Sequence, residues 1–306
     1  MYRTYKVLIL MSTYNGGKKI KRQIESIISQ SEVEASILIR DDGSDVQTQD
    51  ILRSIEIKYP NQIKVIYGSN KGWKQSFLDL LCLAPRDYDF YGFSDQDDLW
   101  LDDKIMSCIK LMVEDNFLGV KLSHCNALTV DENLQPQKEQ EHRIPCPLNF
   151  KVAIATEYFQ GCGMIWNKDA MNLIQSYRPN NQNLAHDYWV GLVCYLMGKV
   201  YFCEETKFYH IRYGNNSSDD GNVLKGRIKR LKWFLTGKQT YMNPAKDLLE
   251  GYKNKLDAEI IEFLEVVDAY KSSINMKKQL FFDSGFRKPS IEATILLKMA
   301  VLFNRF

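Results

Sequence analysis

The chain is sparing in several things, and each scarcity excludes something. No run of apolar residues reaches the eighteen or so that a bilayer-spanning helix needs. The longest candidate, Ile291 to Phe303, is broken by Glu292 and Lys298. The apolar run near the start, Val7 to Met11, is too short for a signal peptide and reads as a buried strand. The seven cysteines are odd in number and hold no C-x-x-C pair, which argues against a disulfide framework and a structural zinc site. Reduced, mostly buried thiols in a cytoplasm are expected instead. There are only four histidines. Charge of either sign is not in excess: 40 basic residues meet 38 acidic ones, for a net of +2. So even a balance excludes a general nucleic-acid binder.

What is present is an ordinary globular composition of 306 residues, 45% apolar and rich in Tyr and Phe. The net charge hides a split. Residues 222–306 hold 16 basic and 9 acidic residues, and the preceding residues 24 and 29.

The first 125 residues alternate short apolar runs with amphipathic stretches. Strands are expected at Val7–Met11, Ser36–Arg40, Ile63–Tyr67 and Asp89–Phe93. Between and after them, Ile20/Ile24/Ile27/Ile28, Ile51/Leu52/Ile55, Phe77/Leu78/Leu80/Leu81 and Ile105/Ile109/Met112 recur at helical spacing. Such alternation predicts an α/β fold with a mostly parallel sheet covered on both faces. Ligands of such sheets bind beyond the carboxyl ends of the strands. Residues 131–149, with three prolines, read as a loop or lid. A helix is expected at Asp187–Met197, a strand at Lys199–Phe202, and helical structure from about Asn222 onward.

The polar residues that follow the strands suggest chemistry. Strand one runs into Ser12-Thr13-Tyr14-Asn15-Gly16-Gly17 before a helix, a turn whose amides suit a diphosphate or merely cap the helix. It lacks the lysine of a P-loop. Strand two ends in Arg40-Asp41-Asp42-Gly43-Ser44-Asp45, where a carboxylate accepts from a sugar hydroxyl or base imide, or caps a turn. Strand four ends in Phe93-Ser94-Asp95-Gln96-Asp97-Asp98-Leu99-Trp100. Three carboxylates in four residues repel one another unless a cation intervenes. Oxygen ligands favour Mg²⁺ or Mn²⁺. Such an ion neutralises a leaving diphosphate.

These three motifs, in this order, resemble those of the family 2 glycosyltransferases of GT-A fold, especially bacterial rhamnosyltransferases of cell-wall and capsular polysaccharide synthesis. The resemblance covers roughly residues 5–220 and implies a nucleotide-sugar donor, dTDP-rhamnose ahead of a UDP-sugar. It places Thr13, Tyr14 and Asn15 near the nucleotide, Asp42 on the base, Asp95 on ribose or sugar, and Asp97 on the metal. Asn70-Lys71-Gly72 is similar to the family's Asn-x-Gly turn beside the donor. Ala185-His186-Asp187-Tyr188-Trp189 resembles its His-Asp-Trp segment, which makes Asp187 the base that deprotonates the acceptor. Asp98, Trp100, Gly161, Cys162, His186 and Arg212 are then acceptor-side or supporting residues. One departure stands out. Relatives carry Tyr-Arg-x-His before an Asn-containing loop, whereas this chain reads Tyr209-His210-Ile211-Arg212-Tyr213-Gly214. Counted back from Gly214, Tyr213 takes the histidine's place, so His210 as a metal ligand, Arg212 or Tyr213 are alternatives.

From Leu224 to Leu235 five basic residues alternate with Leu, Ile, Trp and Phe. This composition fits either an amphipathic helix at an anionic membrane surface or a solvated helix packed on the protein. Ile291, Ile295, Leu296, Met299, Leu302 and Phe303 extend that face or bury a homodimer contact. The domain reading is therefore a catalytic region 1–221 and a basic helical region 222–306. The functional expectation is an inverting, metal-dependent transferase using a saccharide or lipid-linked saccharide acceptor at the inner face of a membrane. The alternatives are a sugar-phosphate nucleotidyltransferase and a non-catalytic nucleotide-sugar-binding subunit.

Overall fold

A computed structural model describes residues 4–137, 149–213 and 241–306. The chain forms two compact units. The first comprises Met1–Cys146, Tyr158–Arg178 and Ala185–Arg212; the second comprises Pro147–Glu157, Pro179–Leu184 and Tyr213–Phe306. The second unit thus includes Pro147–Glu157 and Pro179–Leu184, which lie within the expected catalytic region 1–221.

In the first unit, β1 (Tyr5–Thr13), β2 (Val33–Asp41), β3 (Ile63–Tyr67), β4 (Phe90–Ser94), β5 (Leu99–Trp100), β6 (Lys121–Val130), β7 (Met164–Asn167) and β8 (Lys199–Ile211) form one mixed sheet. Its order is β3-β2-β1-β4-β7-β6-β8-β5. The strands β3, β2, β1 and β4 are parallel. Antiparallel β7 joins β4 to β6, β8 runs parallel to β6, and two-residue β5 pairs antiparallel with β8.

The expected helices cover this sheet: α1 (Lys19–Ile28), α2 (Val46–Lys58), α3 (Trp73–Leu83) and α4 (Lys104–Val113). Val7, Ile9 and Met11 of β1 are fully buried with Ile20, Ile24 and Ile27 of α1 and Ile105 and Ile109 of α4 in one core. Each such side chain contributes about 1.5–3 kcal/mol when taken from water. The uninterrupted apolar run of β1 reflects burial on both faces. Asp45 caps α2, its carboxylate accepting from Thr48 N–H at 2.8 Å. Beyond α6 (Lys168–Ile174), α7 (His186–Met197) starts one residue before its expected position. Strand β8 runs nine residues past its expected end at Phe202, and β6 reaches Val130, where the sequence pattern had loosened.

The second unit contains α5 (Phe150–Ala155) and α8 (Ala245–Tyr252), α9 (Ala258–Ala269), α10 (Ile274–Phe282) and α11 (Ile291–Leu302). Asp247 accepts from the backbone N–H of Asn180 at 2.6 Å, and Lys151 pairs with Asp283 at 2.7 Å. The chain end is held by Tyr270, whose hydroxyl donates to Phe306 O and accepts from Phe306 N–H. No helix among the described residues is long and apolar enough to cross a membrane. The basic stretch Leu224–Leu235 lies outside the described residues.

Candidate active site

Strand register brings the three motifs together. Thr13 lies beside Asp41, and Met11 beside Ser94, so β1, β2 and β4 end at a common level. Side chains then tie the ends to one another. Gln96, from the middle of the acidic motif, accepts from Thr13 Oγ1 at 2.6 Å and Tyr14 N–H at 3.0 Å, and donates to Tyr14 O. Asn15 adopts a left-handed φ of 49° and exchanges hydrogen bonds with the second motif. Its N–H donates to Ser44 Oγ, and its Oδ1 accepts from Asp45 N–H. Thr13 is buried, while Tyr14 and Asn15 are exposed.

The second motif is well supplied with donors. Asp41, fully buried, accepts from Ser44 N–H and Gln49 Nε2, which is the turn-capping role. Asp42, expected at the nucleobase, is 2% exposed. It pairs with the Arg40 guanidinium and accepts from the N–H groups of Lys71 and Gly72, both at 2.9 Å. Its oxygens accept from these three donors and so shape the Asn70-Lys71-Gly72 turn. Asn70 on that turn is exposed. Gly43 is required here twice: its φ is +79°, and a Cβ would sit 2.9 Å from Asn70 N. Asp79 completes the network by accepting from Lys71 at 2.9 Å and Arg178 at 2.7 Å, with Arg40 at 3.4 Å.

The acidic motif is the opposite case. Asp98 is buried, one oxygen held by His210 Nδ1 at 2.9 Å and the other, Oδ2, without a hydrogen-bond partner. Strand pairing explains the histidine. Leu99 lies opposite Tyr209 in an antiparallel ladder, so the residue before Leu99 faces the residue after Tyr209. Arg212, two residues on, spends its N–H on Val130 O and is half-buried, as is Tyr213. Asp95 accepts from Cys162 Sγ at 2.8 Å. Burial, then the charge of Asp98, pushes the Asp95 carboxyl up to about 7. The same two causes raise Asp97, which is partly exposed. His210 is raised chiefly by its bond to Asp98. A buried, partnerless carboxylate oxygen among carboxyls that resist ionisation fits a divalent cation. Asp95 and Asp98 each bring an oxygen into one small cluster and would hold it, with His210 fixing the Asp98 carboxylate; Asp97 and His210, the expected ligands, are not members of that cluster.

Asp187 opens α7, half-buried, its Oδ2 accepting from Gly161 N–H at 3.3 Å. His186 beside it is not a proton relay. Its ring is stacked on Phe77 at 3.8 Å and lies edge-on to Phe93 and Trp73, with neither nitrogen hydrogen-bonded. Burial lowers it to about 4. A Cβ on Gly161 would come within 2.9 Å of His186 Nε2, so glycine permits this packing. Trp100 is also not at an acceptor surface. It is buried beneath the Lys104 ammonium, 3.4 Å from the ring centre, and serves as support.

The sequence reading missed Gln96, the Arg40–Asp79–Arg178 network and the thiol of Cys162 on Asp95. Glutamine between carboxylates was the available signal for the first; the others depend on contacts across 39 and 67 positions, which no local pattern shows.

The Glycosyl transferase family 2 profile matches residues 8–172, more than half of the chain and all three motifs. The chain belongs to this family. It is 27% identical over 250 residues to the dTDP-rhamnosyl transferase RfbG of Shigella flexneri, covering 73% of this chain and 80% of that protein. It is 24% identical over 318 residues to the minor teichoic acid biosynthesis protein GgaA of Bacillus subtilis, covering 92% and 65%. Among solved structures, S. aureus TarS 1–349 in complex with UDP-GlcNAc matches with a TM-score of 0.56 at 17% identity, covering 98% and 80%. The mannosyltransferase PcManGT of Pyrobaculum calidifontis, in complex with GDP-Man and Mn²⁺, matches with a TM-score of 0.52 at 14% identity, covering 99% and 81%. The fold is thus GT-A, and the enzyme is a glycosyltransferase that moves sugar from a nucleotide-sugar.

Proposed function

We propose that this glycosyltransferase moves rhamnose from dTDP-rhamnose, with inversion, onto a saccharide acceptor of bacterial surface polysaccharide, in a divalent-cation-dependent reaction. One observation supports the assignment of the chemistry above others. Asp187 is held by Gly161, and the next residue, Cys162, touches Asp95. Base and acidic motif are therefore joined through two adjacent residues. The donor preference draws on the Shigella relative.

In this reading Asp187 takes the proton of the acceptor hydroxyl as it attacks the anomeric carbon. Gly161 N–H orients the carboxylate. His186 fixes the start of α7 without exchanging protons. Thr13, Tyr14, Asn15 and Asn70 line the nucleotide, with Asp42 holding the 70–72 turn beneath it. Mg²⁺ or Mn²⁺, when bound, supplies positive charge against the leaving diphosphate. We take 1–221 as the catalytic region and 222–306 as a basic region that meets an anionic membrane and a lipid-linked acceptor. The exposed Ile291, Ile295, Leu302 and Phe303 on and after α11 support such a contact. Co-sedimentation with anionic vesicles tests it; a homodimer in solution that leaves vesicles unbound would replace it.

The deciding experiment compares dTDP-rhamnose, UDP-GlcNAc and GDP-mannose for metal-dependent hydrolysis and thermal stabilisation. Only dTDP-rhamnose is expected to serve; turnover of another donor in its place overturns the donor assignment. Asp187→Asn should lose transfer by about 10²–10⁴-fold and keep donor binding within about twofold. Retained transfer would remove Asp187 as the base.

A further inference from the structure

Cys162 sits in the 3₁₀ turn Gly161–Gly163 that leads into β7, and is 3% exposed. Its Sγ donates to Asp95 Oδ2 at 2.8 Å. One ligand atom each from Asp95, Asp98 and Cys162 lie within 4.8 Å of one another, and among the described residues no other cluster of three Asp, Glu, His or Cys does this. The second pointer to a ligand is Asp98, a side chain fully shielded from water whose Oδ2 accepts nothing. His210 fixes the other oxygen of that carboxylate at 2.9 Å and so fixes its plane. Two hard oxygens and one soft sulfur thus face the same small volume.

A site built from oxygens alone would favour Mg²⁺. A thiolate in the set shifts preference toward later, softer ions. Given the reading that the acidic motif takes a divalent cation, on which this inference rests, the geometry points to a mixed oxygen–sulfur metal site in which Cys162 is a ligand. Such a site takes a borderline ion of the cobalt and zinc class in preference to Mg²⁺. On binding, the S–H bond of Cys162 breaks and a sulfur–metal bond forms. The proton leaves to solvent, and Asp95 Oδ2 exchanges its thiol donor for the ion. No change of oxidation state is involved.

The test titrates the full chain with Co²⁺ alone, without oxygen, and follows its absorption. The wild type is expected to show both the visible ligand-field bands and a near-ultraviolet thiolate-to-cobalt charge-transfer band. Cys162→Ser should keep the ligand-field bands, lose the charge-transfer band and bind Co²⁺ about tenfold or more weakly, with Mg²⁺ affinity changed less than about twofold. Cys82→Ser, which removes an exposed thiol, should keep every band. The inference is overturned if the wild type binds Co²⁺ without the charge-transfer band, if Cys162→Ser retains it, or if Cys82→Ser abolishes it. The wild-type and Cys82→Ser results decide the matter even if Cys162→Ser fails to fold. A protein that shows the band but hydrolyses no nucleotide-sugar leaves this inference standing and removes the catalytic reading instead.

Discussion

Two carboxylate clusters lie at neighbouring strand ends and are built on opposite principles. At the end of β2, Asp41 and Asp42 are buried, and donors surround them: the Arg40 guanidinium, Gln49, and the amides of Ser44, Lys71 and Gly72. At the end of β4, Asp95, Asp97 and Asp98 lean on one another, with an orphaned oxygen on Asp98. Sequence makes them look alike, as Asp-rich turns after apolar strands. The difference teaches that a carboxylate whose two oxygens both hold donors is architecture, while one with a buried oxygen left without a donor is capacity kept for a ligand.

Substitutions can break this contrast. The largest effect should come from Asp42→Ala, which takes the nearer of two carboxylates from the buried Arg40 guanidinium and frees two amides. A loss of about 3–5 kcal/mol in urea denaturation is expected; a loss below about 1 kcal/mol would mean that Asp42 is not structural. His186→Phe comes next, because it separates packing from proton chemistry. The folded His186 titrates near 4 against an ordinary value of 6.5, so the unfolded chain takes up a proton first as pH falls. Its contribution is therefore intact above about pH 6.5, fades between 6.5 and 4, and its loss reaches about 3 kcal/mol below that. The Phe variant should lack this part of the acid sensitivity in thermal melts at pH 7 and 4.5, and should retain transfer. Gln96→Ala should cost about 1–2 kcal/mol through the lost hydrogen bonds to Thr13 and Tyr14. Asp98→Asn should have the smallest effect on stability and the opposite sign, a gain of about 1 kcal/mol without metal from relieved repulsion. Added Mn²⁺ should stabilise the wild type and not this variant. If the variant gains from metal as the wild type does, the contrast between the two clusters fails.

Much of this was legible in the sequence. Period and apolar runs locate β1 to β4 and α1 to α4 because each element buries a stripe or a full face in one core. The positions of the polar motifs follow, since parallel strands end on one side. Three things were not legible. Trp100 and His186 read as either acceptor-side or supporting residues because tryptophan and histidine are ambiguous; only packing shows that Lys104 covers one and Phe77 and Phe93 enclose the other. The partners of Asp42 could not be read locally because they come from a turn 29 and 30 positions away. The far end of β8 was blurred by its exposed and half-buried polar residues, and β6 by the buried Lys, Ser, His and Asn that interrupt its apolar residues.

The pairing of Leu99 with Tyr209 has a consequence for comparing relatives of this enzyme. Side chains along a strand alternate, so inserting one residue into β8 before His210 would turn its imidazole to the other face of the sheet. Insertions after Ile211 would leave it in place, whatever their length. The histidine of such an enzyme is therefore found by aligning the ladder with the short strand behind the acidic motif, and distance from the next glycine is a poor guide. Natural variants should gain and lose residues freely on one side of that position and almost never on the other.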